Sequence, residues 1–106
     1  MPFINTDETQ PREIIKGARA KFVHTDGMTM SIWNFDEGAV LPAHSHFHEQ
    51  MTKLISGKFE MTLDGETKVF TESDIAVIPP NVVHSGRAIT ACVMVDVFHP
   101  VREDYK

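Results

Sequence analysis

Over residues 58–63 the chain alternates strictly: Phe59, Met61 and Leu63 take one side, Lys58, Glu60 and Thr62 the other. Successive side chains of a β-strand point to opposite faces, so this period-two pattern predicts a half-buried strand rather than a helix. Asp64-Gly65 follows at once, a pair suited to the left-handed backbone of a tight hairpin, and residues 66–70 read as the returning strand. The same grammar recurs along the chain. Residues 20–24 and 28–35 flank Thr25-Asp26-Gly27, a second hairpin signal. The segment 28–35 carries Met, Ile, Trp and Phe on both faces, which predicts a position between two layers. Residues 75–78 form a short apolar strand stopped by Pro79-Pro80, and residues 91–98 a longer one. Helical periodicity is weak, and a helical turn is expected only around residues 11–16. Many short strands with Gly, Pro and Asp-Gly punctuation predict an all-β sandwich or barrel.

With 106 residues, the sequence has room for one domain, expected to span residues 1–106. A fold this small is marginal alone, so a bound metal or a partner subunit would help it. Ten Lys and Arg against fifteen Asp and Glu give a formal charge of -5. That balance argues against nucleic-acid and membrane-surface partners, which attract basic patches, while leaving room for a small anion held by one local Arg. Cys92 is the single cysteine, so no internal disulfide can form. The first ten residues include Asp7 and Glu8 and no apolar stretch, and no apolar run reaches membrane-spanning length. A reducing cytoplasm is the expected setting.

Three of the six histidines fall at 44, 46 and 48. Residues two apart on a strand share a face, so His44 and His46 are expected to project together into the interior, with Gln50 at the same parity. His84 follows Pro79-Pro80-Asn81 far downstream, where antiparallel pairing would bring it opposite. Histidine is the commonest metal ligand. Alone, the His44–His46 pair reads as surface or hydrogen-bonded histidines; with Gly38, Gly57 and Pro79-x-Asn81-x-x-His84 at the offsets of two motifs, the set His44, His46, Gln50 and His84 is expected to hold one divalent ion, with Ni, Zn, Fe, Mn and Co all open. Three imidazoles and an amide are neutral and leave the ion its full charge, which favours a Lewis acid over a redox centre. His48 shares the parity but is expected to be displaced by a loop or bulge; His24 and His99 have no spacing argument.

Gly38, His44-x-His46, Gln50 and Gly57, at these offsets, resemble the first motif of the cupins, and Pro79-x-Asn81-x-x-His84 the second. The resemblance implies a single-domain jelly-roll or conical β-barrel. It departs from the usual pattern at Gln50 (Glu), Ser73 (Gly), Asn81 (Gly) and Ala88 (Asn). A longer stretch is similar to the KdgF family of pectin-degradation proteins: His44-Ser45-His46-x-His48-Glu49-Gln50, Ile78-Pro79-Pro80-Asn81-Val82-x-His84, and Asp96-Val97-Phe98-x-Pro100-x-Arg102-Glu103-Asp104. This resemblance implies ring opening of 4,5-unsaturated uronates, released by pectin or alginate lyases, to the linear 5-keto-4-deoxyuronate. It also implies Asp96, Phe98 and Arg102 as active-site residues and a small anionic sugar as substrate; the wider cupin resemblance implies a homodimer, since small cupins often pair through sheet edges or exchanged N-terminal strands. Read without it, Asp96 is a strand residue in an ion pair, Phe98 is core, and Arg102 with Glu103 and Asp104 is a solvated tail. Two other readings stay open: a cupin dioxygenase or isomerase acting on another small acid, and a non-catalytic sugar-binding cupin.

Overall fold

The computed structural model describes residues 2–106. Ten strands follow one another: β1 (Arg12–Ile15), β2 (Ala18–His24), β3 (Thr29–Phe35), β4 (Val40–His44), β5 (Glu49–Ser56), β6 (Phe59–Leu63), β7 (Glu66–Phe70), β8 (Ile75–Ile78), β9 (His84–Ala88) and β10 (Cys92–His99). They form a six-stranded sheet in the order β1-β2-β3-β10-β5-β8 and a four-stranded sheet in the order β4-β9-β6-β7. The segment 11–16, expected as a helical turn, is instead the edge strand β1. Its Ile14 and Ile15 pack against the core, a gain that a weak local helical preference does not match.

Both Asp-Gly hairpins form. Asp64 and Gly65 take φ of 51° and 80°, the left-handed pair that joins β6 to β7. The β2–β3 turn closes through Thr25 N–H donating to Met28 O at 2.9 Å. Gly57, after β5, has φ of 93°, and a Cβ there would fall 2.3 Å from the Ala91 carbonyl oxygen, so only glycine fits.

The alternation of β6 sorts as expected: Phe59 and Met61 are buried between the sheets with Trp33, Phe35, Leu54 and Met94. Phe59 is fully buried, and truncating such a side chain to Ala typically costs ~3–5 kcal/mol. The expectation that β3 lies between two layers does not hold. Only one of its faces is buried, and Met30 on the other is 45% exposed. Met30, Val97, Met51 and Val77 form one cross-strand row over β3, β10, β5 and β8 on the outside of the larger sheet. Composition on both faces of β3 reflects this apolar outer row, which no second layer covers among the described residues.

The inner face of the same sheet is polar toward one end. Thr29, Phe98, Gln50 and Ile78 make one inward row, and Ser31, Asp96, Thr52 and Ala76 the next. Below them Trp33, Met94 and Leu54 begin the apolar core. A gradient along the strands thus gives the sandwich a polar mouth over a greasy floor.

Candidate metal centre

His44 ends β4 and His84 begins β9, and the register of these two strands sets them directly opposite. Their rings lie 4.2 Å apart, centroid to centroid. His46 sits in the bend between β4 and β5, its ring 5.7 Å from that of His44 and 5.0 Å from that of His84. One ring nitrogen from each of His44, His46 and His84 falls within 4.8 Å of the other two. Gln50, from the opposite sheet, brings Oε1 to 3.0 Å from His46 Nε2.

The expected side chains therefore meet, but not by shared strand parity, since His46 is not on a strand. The β4–β9 register brings His44 to His84, and a turn brings His46 to both. Asn81 holds that turn: its N–H donates to His46 O at 2.7 Å. Asn81 has φ of 66°, a conformation that asparagine tolerates better than most residues, which explains why it can stand where cupins usually carry glycine.

Each ring is oriented by a hydrogen bond to a backbone carbonyl. His44 Nδ1 lies 2.8 Å from Pro42 O, His46 Nδ1 3.0 Å from His48 O, and His84 Nδ1 2.9 Å from Val82 O. A carbonyl only accepts, so each Nδ1 carries the proton and each Nε2 keeps a bare lone pair. Burial, reinforced by the Arg102 charge, lowers the His46 pKa to about 4, and burial also lowers that of His84, so both are neutral near pH 7.

The fourth side chain is oriented by a relay. Gln50 Nε2 donates to Thr52 Oγ1 at 2.8 Å, and Thr52 Oγ1 donates to Asp96 Oδ1 at 2.6 Å. A hydroxyl has one proton; given to the carboxylate, it leaves only a lone pair for the amide. The N–H end of Gln50 is thus directed at Thr52 and its oxygen at the histidines. His46 Nε2 and Gln50 Oε1 then face each other as two acceptors with no proton between them, and His84 Nε2 is buried without a partner. Convergent, unpartnered lone pairs are what a cation requires, and three imidazole nitrogens with an amide oxygen suit a divalent first-row ion. The residues fit the expected metal.

Next to the cluster is a cavity of about 260 Å³ whose lining includes Thr52, Asp96, Phe98, Arg102 and Tyr105. Asp96 and Phe98 both point inward on β10 and are buried. Burial pushes the Asp96 carboxyl up to about 6, against the hydrogen bonds from Thr52 and Gln50 and the Arg102 charge. Arg102 is buried and not part of a solvated tail: its N–H donates to Thr29 Oγ1 at 2.8 Å, and its guanidinium packs in the corner between two tilted rings, 4.7 Å from that of Phe98 and 4.2 Å from that of Tyr105. Its Nε and Nη2 donate to Asp104 at 3.0 and 2.8 Å, which steadies the group and leaves its other N–H groups for a second anion.

His48 is buried beside this stack, its ring 5.6 Å from His46 and 6.5 Å from Phe98, and lies outside the converging cluster. His24 bonds Thr29 Oγ1 at 2.8 Å, and His99 faces Glu49 on the surface. Sequence reasoning missed Thr52 and Tyr105. Thr52 shares its face of β5 with Gln50, which parity could have shown. Tyr105 lay hidden in what reads as an acidic tail. A larger cleft of about 400 Å³, reaching from Met61 and Leu63 to Ile75 and Val77, has no histidine in its walls.

Comparison with known proteins agrees with this geometry. The chain is 28% identical over 102 residues to the pectin degradation protein KdgF of Dickeya dadantii, covering 93% of each. The solved structure of KdgF from Halomonas sp. superposes with a TM-score of 0.93 at 28% identity, over 100% of this chain and 99% of that one. An RmlC-like cupin from Shewanella frigidimarina superposes with a TM-score of 0.94 at 29% identity, over 100% of this chain and 96% of that one. Residues 31–98, from within β3 through Phe98, match the Cupin domain family, and they contain all four side chains of the cluster. By that match the chain belongs to the cupin family.

Proposed function

We propose that this cupin is a metal-dependent enzyme that converts 4,5-unsaturated uronate monosaccharides to the linear 5-keto-4-deoxyuronate, by ring opening and enol–keto tautomerisation. The observation that carries the reading is the adjacency of three groups of different chemistry in one cavity. Convergent neutral donors, a buried carboxylate and a buried guanidinium all face the same 260 Å³. The likeness to two KdgF proteins supports placing this reaction in pectin degradation.

Such a substrate has a double bond between C4 and C5, conjugated to the C6 carboxylate, with the ring oxygen on C5. Opening the hemiacetal at C1 gives an aldehyde and an enol at C5. Protonation of that enol at C4 gives the ketone. His44, His46, Gln50 and His84 would hold a divalent ion, which would supply Lewis acidity toward an oxygen that gains negative charge. Arg102, pre-oriented by Asp104 and the two aromatic rings, anchors the substrate carboxylate through its remaining N–H groups. Asp96 acts as general acid and base: its buried carboxyl, pushed up to about 6, can carry a proton to C4 near neutral pH. Phe98 packs on the sugar ring and excludes water.

The test is incubation with unsaturated galacturonate, following loss of the enol-ether absorbance above the slow background in water, with and without a chelator. Metal-dependent acceleration and a 5-keto product are expected. Elemental analysis of the double variant His44→Ala, His46→Ala should show almost no metal. Full occupancy there sinks the ligand assignment. Loaded enzyme that leaves both pectin- and alginate-derived unsaturated uronates at the background rate sinks the reaction. Oxygen consumption with another small acid would point to the dioxygenase reading instead.

A further inference from the structure

Thr52 belongs to none of the motifs that identify the site, yet it is the only side chain hydrogen-bonded to both Gln50 and Asp96 among the described residues. It is 1% exposed and faces Asp96 across the β5–β10 pairing. Its hydroxyl accepts from Gln50 Nε2 at 2.8 Å, and that bond, with the Asp96 carboxylate behind it, decides which end of the Gln50 amide faces the histidines. Oxygen and nitrogen are alike in size and shape, and an amide turned by half a revolution would present N–H groups, which no cation accepts as ligands. An amide N–H toward His46 Nε2 would also satisfy that lone pair and so compete with metal for it. The orientation that leaves the lone pairs exposed therefore needs an external acceptor for the amide N–H, and Thr52 Oγ1 is that acceptor. It can serve because its own proton is committed to Asp96.

We propose that Thr52 is a positioning residue that locks the Gln50 amide with its oxygen toward the histidine cluster, and by doing so sets the affinity and the oxygen-donor character of the metal site. This rests on the metal reading above. It also gives a reason for glutamine at this position. A glutamate needs no such device, since both of its oxygens can serve as ligands, but it could not donate to Thr52, and Thr52 could not then satisfy two carboxylates with one proton. Gln50, Thr52 and Asp96 are in this sense one unit of choice.

The experiment is Co²⁺ titration of metal-free protein, reading both the dissociation constant and the visible absorption spectrum of bound Co²⁺. Loss of an outer hydrogen-bond partner of a metal ligand typically weakens binding by ~10–100-fold. Thr52→Val, nearly isosteric but without the hydroxyl, should bind Co²⁺ about that much more weakly and with an altered spectrum. Thr52→Ser, which keeps the hydroxyl, should recover wild-type affinity and spectrum. In a Gln50→Ala background Thr52→Val should have no further effect, because the residue through which it acts is gone. Thr52→Val also removes the 2.6 Å hydrogen bond to the buried Asp96 carboxylate and can fail to fold. The pair Asp96→Asn and Asp96→Asn with Thr52→Val removes that charge and should show the same ~10–100-fold gap. Wild-type protein that takes up no Co²⁺ overturns the metal reading itself. Wild-type protein that binds Co²⁺ while Thr52→Val matches it in affinity and spectrum, or effects of Thr52→Val that persist in full in the Gln50→Ala background, overturn the role of Thr52 alone.

Discussion

Gln50→Glu is the substitution that most directly separates charge from shape in this site. Two hydrogen bonds of 2.8 and 2.6 Å in series link the Gln50 amide to Asp96 through Thr52. A glutamate at position 50 would set a second carboxylate near the first in a buried setting, with one hydroxyl proton for both. At an effective dielectric of ~20, two charges about 5 Å apart repel by roughly 3 kcal/mol. In a domain of this size 1 kcal/mol moves Tm by about 4–8 °C, so the metal-free variant should melt roughly 10–25 °C below metal-free wild type. Metal should close the gap, because the added anion then faces a cation, and affinity should be equal or higher. Turnover should fall, since the same anion reduces the charge available to a developing enolate. Calorimetry of metal-free and loaded protein gives the first comparison and the uronate assay the second. A metal-free variant as stable as wild type refutes the repulsion argument, and one as active when loaded refutes the argument from ligand charge.

Asp96→Asn should lose ~10²–10⁴-fold in kcat while keeping its metal by elemental analysis, the usual worth of positioned proton transfer. Arg102→Ala should chiefly raise KM, with kcat falling too if the anchor also orients the sugar; steady-state kinetics on unsaturated galacturonate separates the two. Far from the site, Asp74 accepts from Lys68 Nζ, Thr71 N–H and Thr71 Oγ1, which holds its carboxyl down at about 2 against an ordinary 3.8. A depressed carboxylate pKa contributes stability that is present above about pH 4 and lost as pH falls toward 2. Asp74→Asn should therefore lower Tm at pH 7, and the difference from wild type should shrink over that window and vanish near pH 2 in thermal melts.

Much of this was legible before any coordinates, and the reasons differ by element. Phe59 and Met61 announce their strand because one face of β6 is buried and the other faces water. β3 misleads because its outer face is apolar without being covered: composition reports what a residue is, not what lies over it. The segment 11–16 misleads for the converse reason, since two adjacent isoleucines carry no period and only the edge of β2 makes them a strand. The four cluster residues were legible from spacing, but not through shared strand parity: Gln50 reaches the histidines from the opposite sheet, and His46 depends on a turn fixed by Asn81. Arg102 and Tyr105 were least legible. Tyr105 stacks on Phe22, far away in sequence, and Arg102 on Phe98, only four residues back but across the chain's exit from β10, so no strand or helix period records either contact.

The placement of the four side chains gives the metal a second consequence. His44 and His84 belong to the four-stranded sheet, Gln50 to the six-stranded sheet, and His46 to the bend between them. A bound ion would tie the two sheets together at the open mouth, where polar side chains replace the apolar contacts that hold the floor. Ligand that binds only the folded state adds RT ln(1 + [L]/Kd), about 2.7 kcal/mol at a hundredfold excess over Kd. By the same scaling used for Gln50→Glu, stripping the metal should lower Tm by about 10–20 °C, and hydrogen exchange should rise first around residues 44–50 and 79–84 rather than in β6. The double variant His44→Ala, His46→Ala should melt alike with and without added ion. If chelated and loaded wild type melt together, or if protection is lost evenly over both sheets, the ion is not bridging the mouth, and the stability of the sandwich rests on the Trp33–Phe35–Phe59 floor alone.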